Sequence, residues 1–179
     1  LIRGNTQIQP LLPGSQERGL RGGTESVALA CGFAVAVEHA VQRQEQEAQR
    51  LADLRDRCER ALIGAARFNG IEAVVIGASA PRVAHISVVS LPGRSRQASV
   101  MAADLAGICV ASGTACASGS SEPSPALVAA GLPAALVDSA IRISLGWSTT
   151  RDDVDLAGRL FTTHLFGQHR WTVASGEKV

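Results

Sequence analysis

From Val27 to Val41 the chain reads apolar or small at nearly every position, with Glu38 and His39 as the exceptions. A helix of that composition has no polar face to turn to water, so it must be deeply buried, and any fold has to be built around it. Upstream, Gly and Pro recur every few positions (Gly4, Pro10, Pro13, Gly14, Gly19, Gly22 and Gly23), which reads as a strand end and an irregular loop. Thr24 can cap the helix, which is therefore expected to start near that residue. From Gln42 the pattern turns amphipathic. Leu51, Leu54, Cys58 and Ala61 or Leu62 recur at helical spacing, and Glu, Arg, Gln and Asp fill the other face. So long a pattern predicts a break or bend near residues 42–46.

Strand-like runs follow at Glu72–Ile76, Val83–Ser90, Ile108–Ala111 and Ile141–Leu145. Between them lie helical stretches at Gln97–Ala106 and Pro125–Asp138, the second interrupted at Gly131–Pro133. A last helix begins at Thr150, where Asp153 completes a capping-box pattern; Val154, Ala157, Leu160, Phe161 and Leu165 give it one apolar face. Aromatic residues make up 3% of the chain, so the core must be built from Ala, Val, Leu and Ile, which suits helices packed on a sheet. The fold class is α/β, with an α+β layer domain after the long helix. Residues 1–45 form one part, residues 46–166 a small α+β domain, and residues 167–179 a tail.

Seventeen basic and sixteen acidic residues leave a net charge of +1, so no field attracts nucleic acid or an acidic membrane surface. No apolar run reaches spanning length, and the N-terminal residues do not read as a signal peptide. Cys31, Cys58, Cys109 and Cys116 form no CxxC pair and no zinc-spaced cluster. Reduced thiols and a cytoplasmic location are the expectation, with Cys31, Cys58 and Cys109 as small buried hydrophobes. His85 reads as a satisfied structural histidine on a strand, and His39 and His164 as packing or solvent-facing residues.

The run from Val110 to Ser124 is the most unusual stretch, with small side chains, two glycines, one thiol and one carboxylate. It follows a strand and precedes a helix starting near Ser124. Such a segment either presents Cys116 as a nucleophile or is a flexible linker with an incidental cysteine. Composition alone favours the linker, because thiol reactivity depends on local pKa, which sequence does not show.

Three separated motifs bear on that choice. Ser112-Gly-Thr-Ala-Cys116, followed by Glu122-Pro-Ser124, closely resembles the active-site segment of the group I cysteine desulfurases, pyridoxal-phosphate enzymes of the class-V aminotransferase family. Ser139-Ala-Ile-Arg-Ile-Ser-Leu-Gly146 resembles a second motif of that family, and Gln16-Glu-Arg-Gly-Leu-Arg-Gly-Gly-Thr-Glu-Ser-Val27 a third. They occur in the family's order and cover residues 10–160 or so.

The resemblance implies a fold-type-I pyridoxal-phosphate-dependent transferase, here its C-terminal domain plus the end of the large domain. It implies that Cys116 is the nucleophile, taking sulfur from L-cysteine as a persulfide while L-alanine is released, with pyridoxal 5'-phosphate as electron sink. Arg142 would hold the substrate carboxylate, a two-pronged contact that Lys makes less well. The alternation of Ile141, Ile143 and Leu145 puts it on the opposite strand face from those residues. Thr24 would contact the cofactor phosphate of a second subunit across a homodimer interface, as a hydroxyl at a helix start can. The sulfur acceptor would be an iron–sulfur scaffold protein or a tRNA-thiolation relay.

The chain departs from the family pattern at Trp147, Pro13 and Gly93-Arg-Ser-Arg. In the family the cofactor-binding lysine lies upstream of the motif at Gln16. This sequence has a single lysine, Lys178, in the tail. The expectation is therefore a fragment, inactive by itself. The same residues leave room for a selenocysteine lyase, a non-catalytic thiol module that relays sulfur, or a plain structural domain.

Overall fold

A computed structural model describes residues 6–7, 9–113 and 123–166. The chain divides into two compact units, Leu1–Gln44 and Glu45–Val179. Helix α1 (Val27–Phe68) runs through the boundary between them. The expected break at residues 42–46 is absent, and the composition explains why. From Gln42 to Arg50 every residue is Gln, Glu, Arg or Ala, all good helix formers, and neither Gly nor Pro intervenes.

In the first unit a 3₁₀ turn at Glu17–Gly19 is closed by a bridge between Gln16 and Arg21. Glu17 and Arg18 both sit at positive φ, 48° and 61°, which is costly for residues with a Cβ. Gly14 and Gly22 are needed because their backbones nearly touch: a Cβ on Gly14 would lie 2.3 Å from the Gly22 Cα. Helix α1 starts at Val27, not at Thr24. The Ala30 N–H donates to the Ser26 carbonyl, so Ser26 holds the position expected of Thr24. The burial expected of residues 27–41 is also not met by the described residues. Val27, Leu29, Phe33, Val35, Val37 and Val41 are each 40% to 75% exposed.

The second unit holds the core. The latter half of α1 closes with a left-handed Gly70, where the Ile71 N–H returns to the Ala66 carbonyl. Strands β1 (Val74–Val75), β2 (Ile86–Ser90) and β3 (Ala140–Ser144) form an antiparallel sheet in that order. Val75 pairs with Val89, and Val89 with Ile141. Helices α2 (Arg96–Leu105), α3 (Pro125–Ala129), α4 (Ala134–Val137) and α5 (Arg151–Leu160) complete it, with a π-helical turn at Phe161–Leu165. Leu54, Leu62 and Ala66 of α1, Val89, Ile141 and Ile143 of the sheet, and Val154, Phe161 and Leu165 bury one another. This is an α+β layer with an aliphatic core, closed by only a few aromatic rings. The capping box forms as the sequence implies: Thr150 Oγ1 accepts from the Asp153 N–H, and the Asp153 carboxylate accepts from the Thr150 N–H.

The strands are shorter than their sequence patterns. Residues 108–111 do not form a strand and make only one bridge, between Ala111 and Arg142. Residues 83–85 stay outside β2, where Arg55 instead draws in the Val83 carbonyl at 2.9 Å. Beneath them, the buried Glu59 accepts from Arg82 Nη1 and from Ser87 Oγ, both at 2.6 Å. A carboxylate buried under a sheet needs such partners.

Candidate functional site at the base of the thiol segment

Strand β3 positions Arg142. Ile141 and Ile143 on either side are buried in the core, so the period of two turns Arg142 to the other face, opposite Val88 of β2. The backbone groups of Arg142 point away from β2, and both pair with Ala111. The Ala111 N–H donates to the Arg142 carbonyl at 3.0 Å, and the Arg142 N–H to the Ala111 carbonyl at 2.7 Å. That bridge fixes the start of the segment leading to Cys116 against the strand carrying the guanidinium.

The end of the segment returns to the same place. Gly113 is left-handed, φ 81°, and a Cβ built on it would meet the Ser124 Cβ at 3.8 Å. Ser124 is buried, and it starts α3 with Pro125 in the first turn, where proline's fixed φ and missing N–H cost nothing. Gly113 and Ser124, on either side of residues 114–122, thus lie next to each other. Residues 114–122, including Cys116, lie outside the described residues.

The Arg142 guanidinium is only partly engaged. Its Nη1 donates to the Gly113 carbonyl over 3.4 Å, and its Nε is buried with no partner among the described residues. An unpaired buried cation donor is costly. Arg142 is thus a partly engaged guanidinium at the point where residues 111–113 and Ser124 meet the sheet.

Thr24 belongs to the other unit. It is exposed, three residues ahead of α1, and the amides of Val27, Ala28 and Leu29 have no acceptor among the described residues. Free amides at a helix start, with a hydroxyl residue shortly before them in the chain, suit a phosphate group. The described residues fit that end of pyridoxal 5'-phosphate only. They offer no amine for its aldehyde, since the sole lysine is Lys178.

The other thiols differ from expectation. Cys58 is buried, and burial, aided by the Glu59 carboxylate, pushes its thiol up to about 11. Cys31 and Cys109 are exposed in this chain rather than buried. Cys109 lies two residues ahead of the Ala111 bridge, where a continuing ladder would have enclosed it. His85 is exposed as well; its carbonyl, not its ring, is engaged, accepting from the Leu145 N–H.

Two contacts escape sequence reasoning. The Gly113 carbonyl on Arg142 joins residues 29 apart. Arg50 reaches from α1 to the carbonyls of Gly146, Trp147 and Thr149, fixing the turn between β3 and α5. The first had one signal, a glycine inside the Ser-Gly-Thr-Ala-Cys run; the second had none. No group of three or more candidate metal ligands occurs among the described residues.

Comparison with known proteins agrees with this architecture. The chain is 39% identical to a cysteine desulfurase of Bradyrhizobium diazoefficiens over 157 residues, which is 87% of this chain and 39% of that protein. It is 34% identical to the cysteine desulfurase NifS of Azotobacter vinelandii, covering 86% and 38%. A solved NifS-like protein superimposes with a TM-score of 0.70 at 28% identity, covering 90% of this chain and 40% of that one. The chain spans about two fifths of the length of the curated relatives it matches. Its fold corresponds to part of the fold-type-I architecture of NifS-like proteins. The aminotransferase class-V model matches residues 7–156, and the chain belongs to that family.

Proposed function

We propose that this chain supplies the sulfur-accepting thiol and the substrate-carboxylate arginine of a pyridoxal-phosphate-dependent cysteine desulfurase. The observation that carries the reading is the convergence of Gly113, Ser124 and Arg142. It roots the segment bearing Cys116 beside a guanidinium whose Nε lacks a partner among the described residues. The similarity to curated cysteine desulfurases supports the same reading.

In this reading Arg142 binds and orients the carboxylate of L-cysteine through charge-assisted hydrogen bonds, and the Cys116 thiolate attacks the substrate sulfur. The sulfur stays on Cys116 as a persulfide and the remaining three carbons leave as L-alanine. Bound pyridoxal 5'-phosphate acts as the electron sink for carbon–sulfur cleavage. Thr24 and the first amides of α1 hold the phosphate of a cofactor seated in a second subunit, so the working unit is a homodimer. The exposed apolar half of α1 is covered when the remainder of the enzyme is present, with residues 1–45 completing the large domain and residues 46–166 forming the small one. The persulfide passes to an iron–sulfur scaffold protein or a tRNA-thiolation relay in the cytoplasm.

The test is to treat the complete protein with L-cysteine and weigh the peptide containing Cys116. The reading requires one added sulfur, removed by thiol reductant and absent in Cys116→Ser. Absence of that sulfur from a protein with bound cofactor would overturn it.

A further inference from the structure

We infer that Gly113 is a positioning residue for Arg142: its left-handed backbone aims its carbonyl at Nη1 and so sets the direction in which the guanidinium is held. This rests on the reading of Arg142 given above and deepens it.

Arginine presents five N–H donors in a rigid planar fork, so anchoring one nitrogen fixes the plane and the direction of the rest. With Nη1 held by the Gly113 carbonyl, Nε and Nη2 remain, and they form one edge of the fork. Nε is buried and has no partner among the described residues, so the pose of the side chain rests on the Nη1 contact and on packing. The Ala111 bridge fixes the Arg142 backbone, and the 3.4 Å contact fixes the far end of its side chain.

The carbonyl direction depends on φ at position 113, which is 81°. Space is not the constraint, because an added Cβ would meet Ser124 at an ordinary 3.8 Å. The constraint is conformational: an L residue with a Cβ disfavours this region, whereas asparagine tolerates it. Alanine at 113 turns the carbonyl away and leaves the guanidinium free to rotate, and asparagine keeps it in place.

The experiment measures L-cysteine turnover by the complete, cofactor-loaded protein for Gly113→Ala, Gly113→Asn, Arg142→Ala and the Gly113→Ala/Arg142→Ala pair. Alongside it, hydrogen exchange of the Arg142 Nε proton is followed by NMR. Gly113→Ala is expected to raise KM about tenfold, with kcat changed less than about twofold, and to speed exchange. Gly113→Asn should restore both. In the Arg142→Ala background Gly113→Ala should add nothing, as for residues acting through one contact. An unchanged KM in Gly113→Ala, or an equal further loss in the Arg142→Ala background, overturns the positioning role. If Arg142→Ala itself leaves KM unchanged, the underlying assignment of Arg142 fails instead.

Discussion

Ala111 and Arg142 exchange both of their backbone hydrogen bonds, at 3.0 and 2.7 Å, and this is the only ladder contact between residues 108–111 and the sheet. One bridge suffices to root the thiol segment at the arginine strand, and it leaves Gly113 free to take the left-handed turn that brings its carbonyl to the guanidinium.

Arg142→Lys in the complete protein should lower kcat/KM for L-cysteine about 100-fold, because an ammonium cannot reproduce a planar two-pronged contact. The fold should hardly notice, since the side chain makes one long hydrogen bond. Steady-state kinetics and a thermal melt test the two statements together; a melting temperature that falls with the activity would mark Arg142 as structural.

Gly158→Ala sets two effects against each other. Alanine favours helix α5 by about 1 kcal/mol over glycine. The new Cβ, however, would lie 2.9 Å from the Ala61 Cβ of α1, an atom that moves only with its backbone. Overpacking of that kind costs about 1–3 kcal/mol, so the variant should be less stable than the parent in a urea titration.

Much of this architecture is legible in the sequence, and the exceptions have physical causes. Apolar spacing places Leu54, Leu62, Val154 and Phe161 in the core, and Thr150 with Asp153 announces the start of α5. Alternation around Arg142 gives its face. The failures are contacts between distant residues and ends of elements. Thr24 and Ser26 are both competent caps, and nothing local decides between them. Residues 108–111 have strand composition, but pairing is a property of two segments. The α1 residues from Val27 to Val41 read as buried, yet their apolar side chains are exposed among the described residues, because composition signals a need for cover and not what supplies it. Of the site, Arg142 and the base of its loop are described; Cys116 rests on the motif alone.

Glu59 should be a stability residue. Its carboxylate receives Arg82 and Ser87, and Arg55 lies 3.9 Å away. Glu59→Ala leaves a partly buried guanidinium and a buried hydroxyl without their acceptor, at a cost of about 3 kcal/mol. Glu59→Gln, which can still accept from Ser87, should cost less. Equal stability of Glu59→Ala and the parent in denaturant melts would contradict this.

Cys58 and Cys109 line one groove of about 370 Å³ yet should react differently. At pH 8 iodoacetamide should label Cys109 and Cys31 and spare Cys58 until the protein unfolds, because the Cys58 thiol is pushed up to about 11. The same shift makes stability depend on pH. The folded chain keeps a proton that the unfolded chain releases near 9.0, the ordinary value. Stability from this group is complete below about pH 9 and falls between about pH 9 and 11. Cys58→Ala should remove that alkaline component; an unaltered pH profile would count against it.

The most direct test of the central claim is L-alanine formation from L-cysteine by the complete protein with pyridoxal 5'-phosphate bound, run beside Cys116→Ser. The account predicts alanine from the native protein and none from the variant, with cofactor absorbance unchanged between them. Equal alanine from both, or none from a native protein that holds its cofactor, would contradict it.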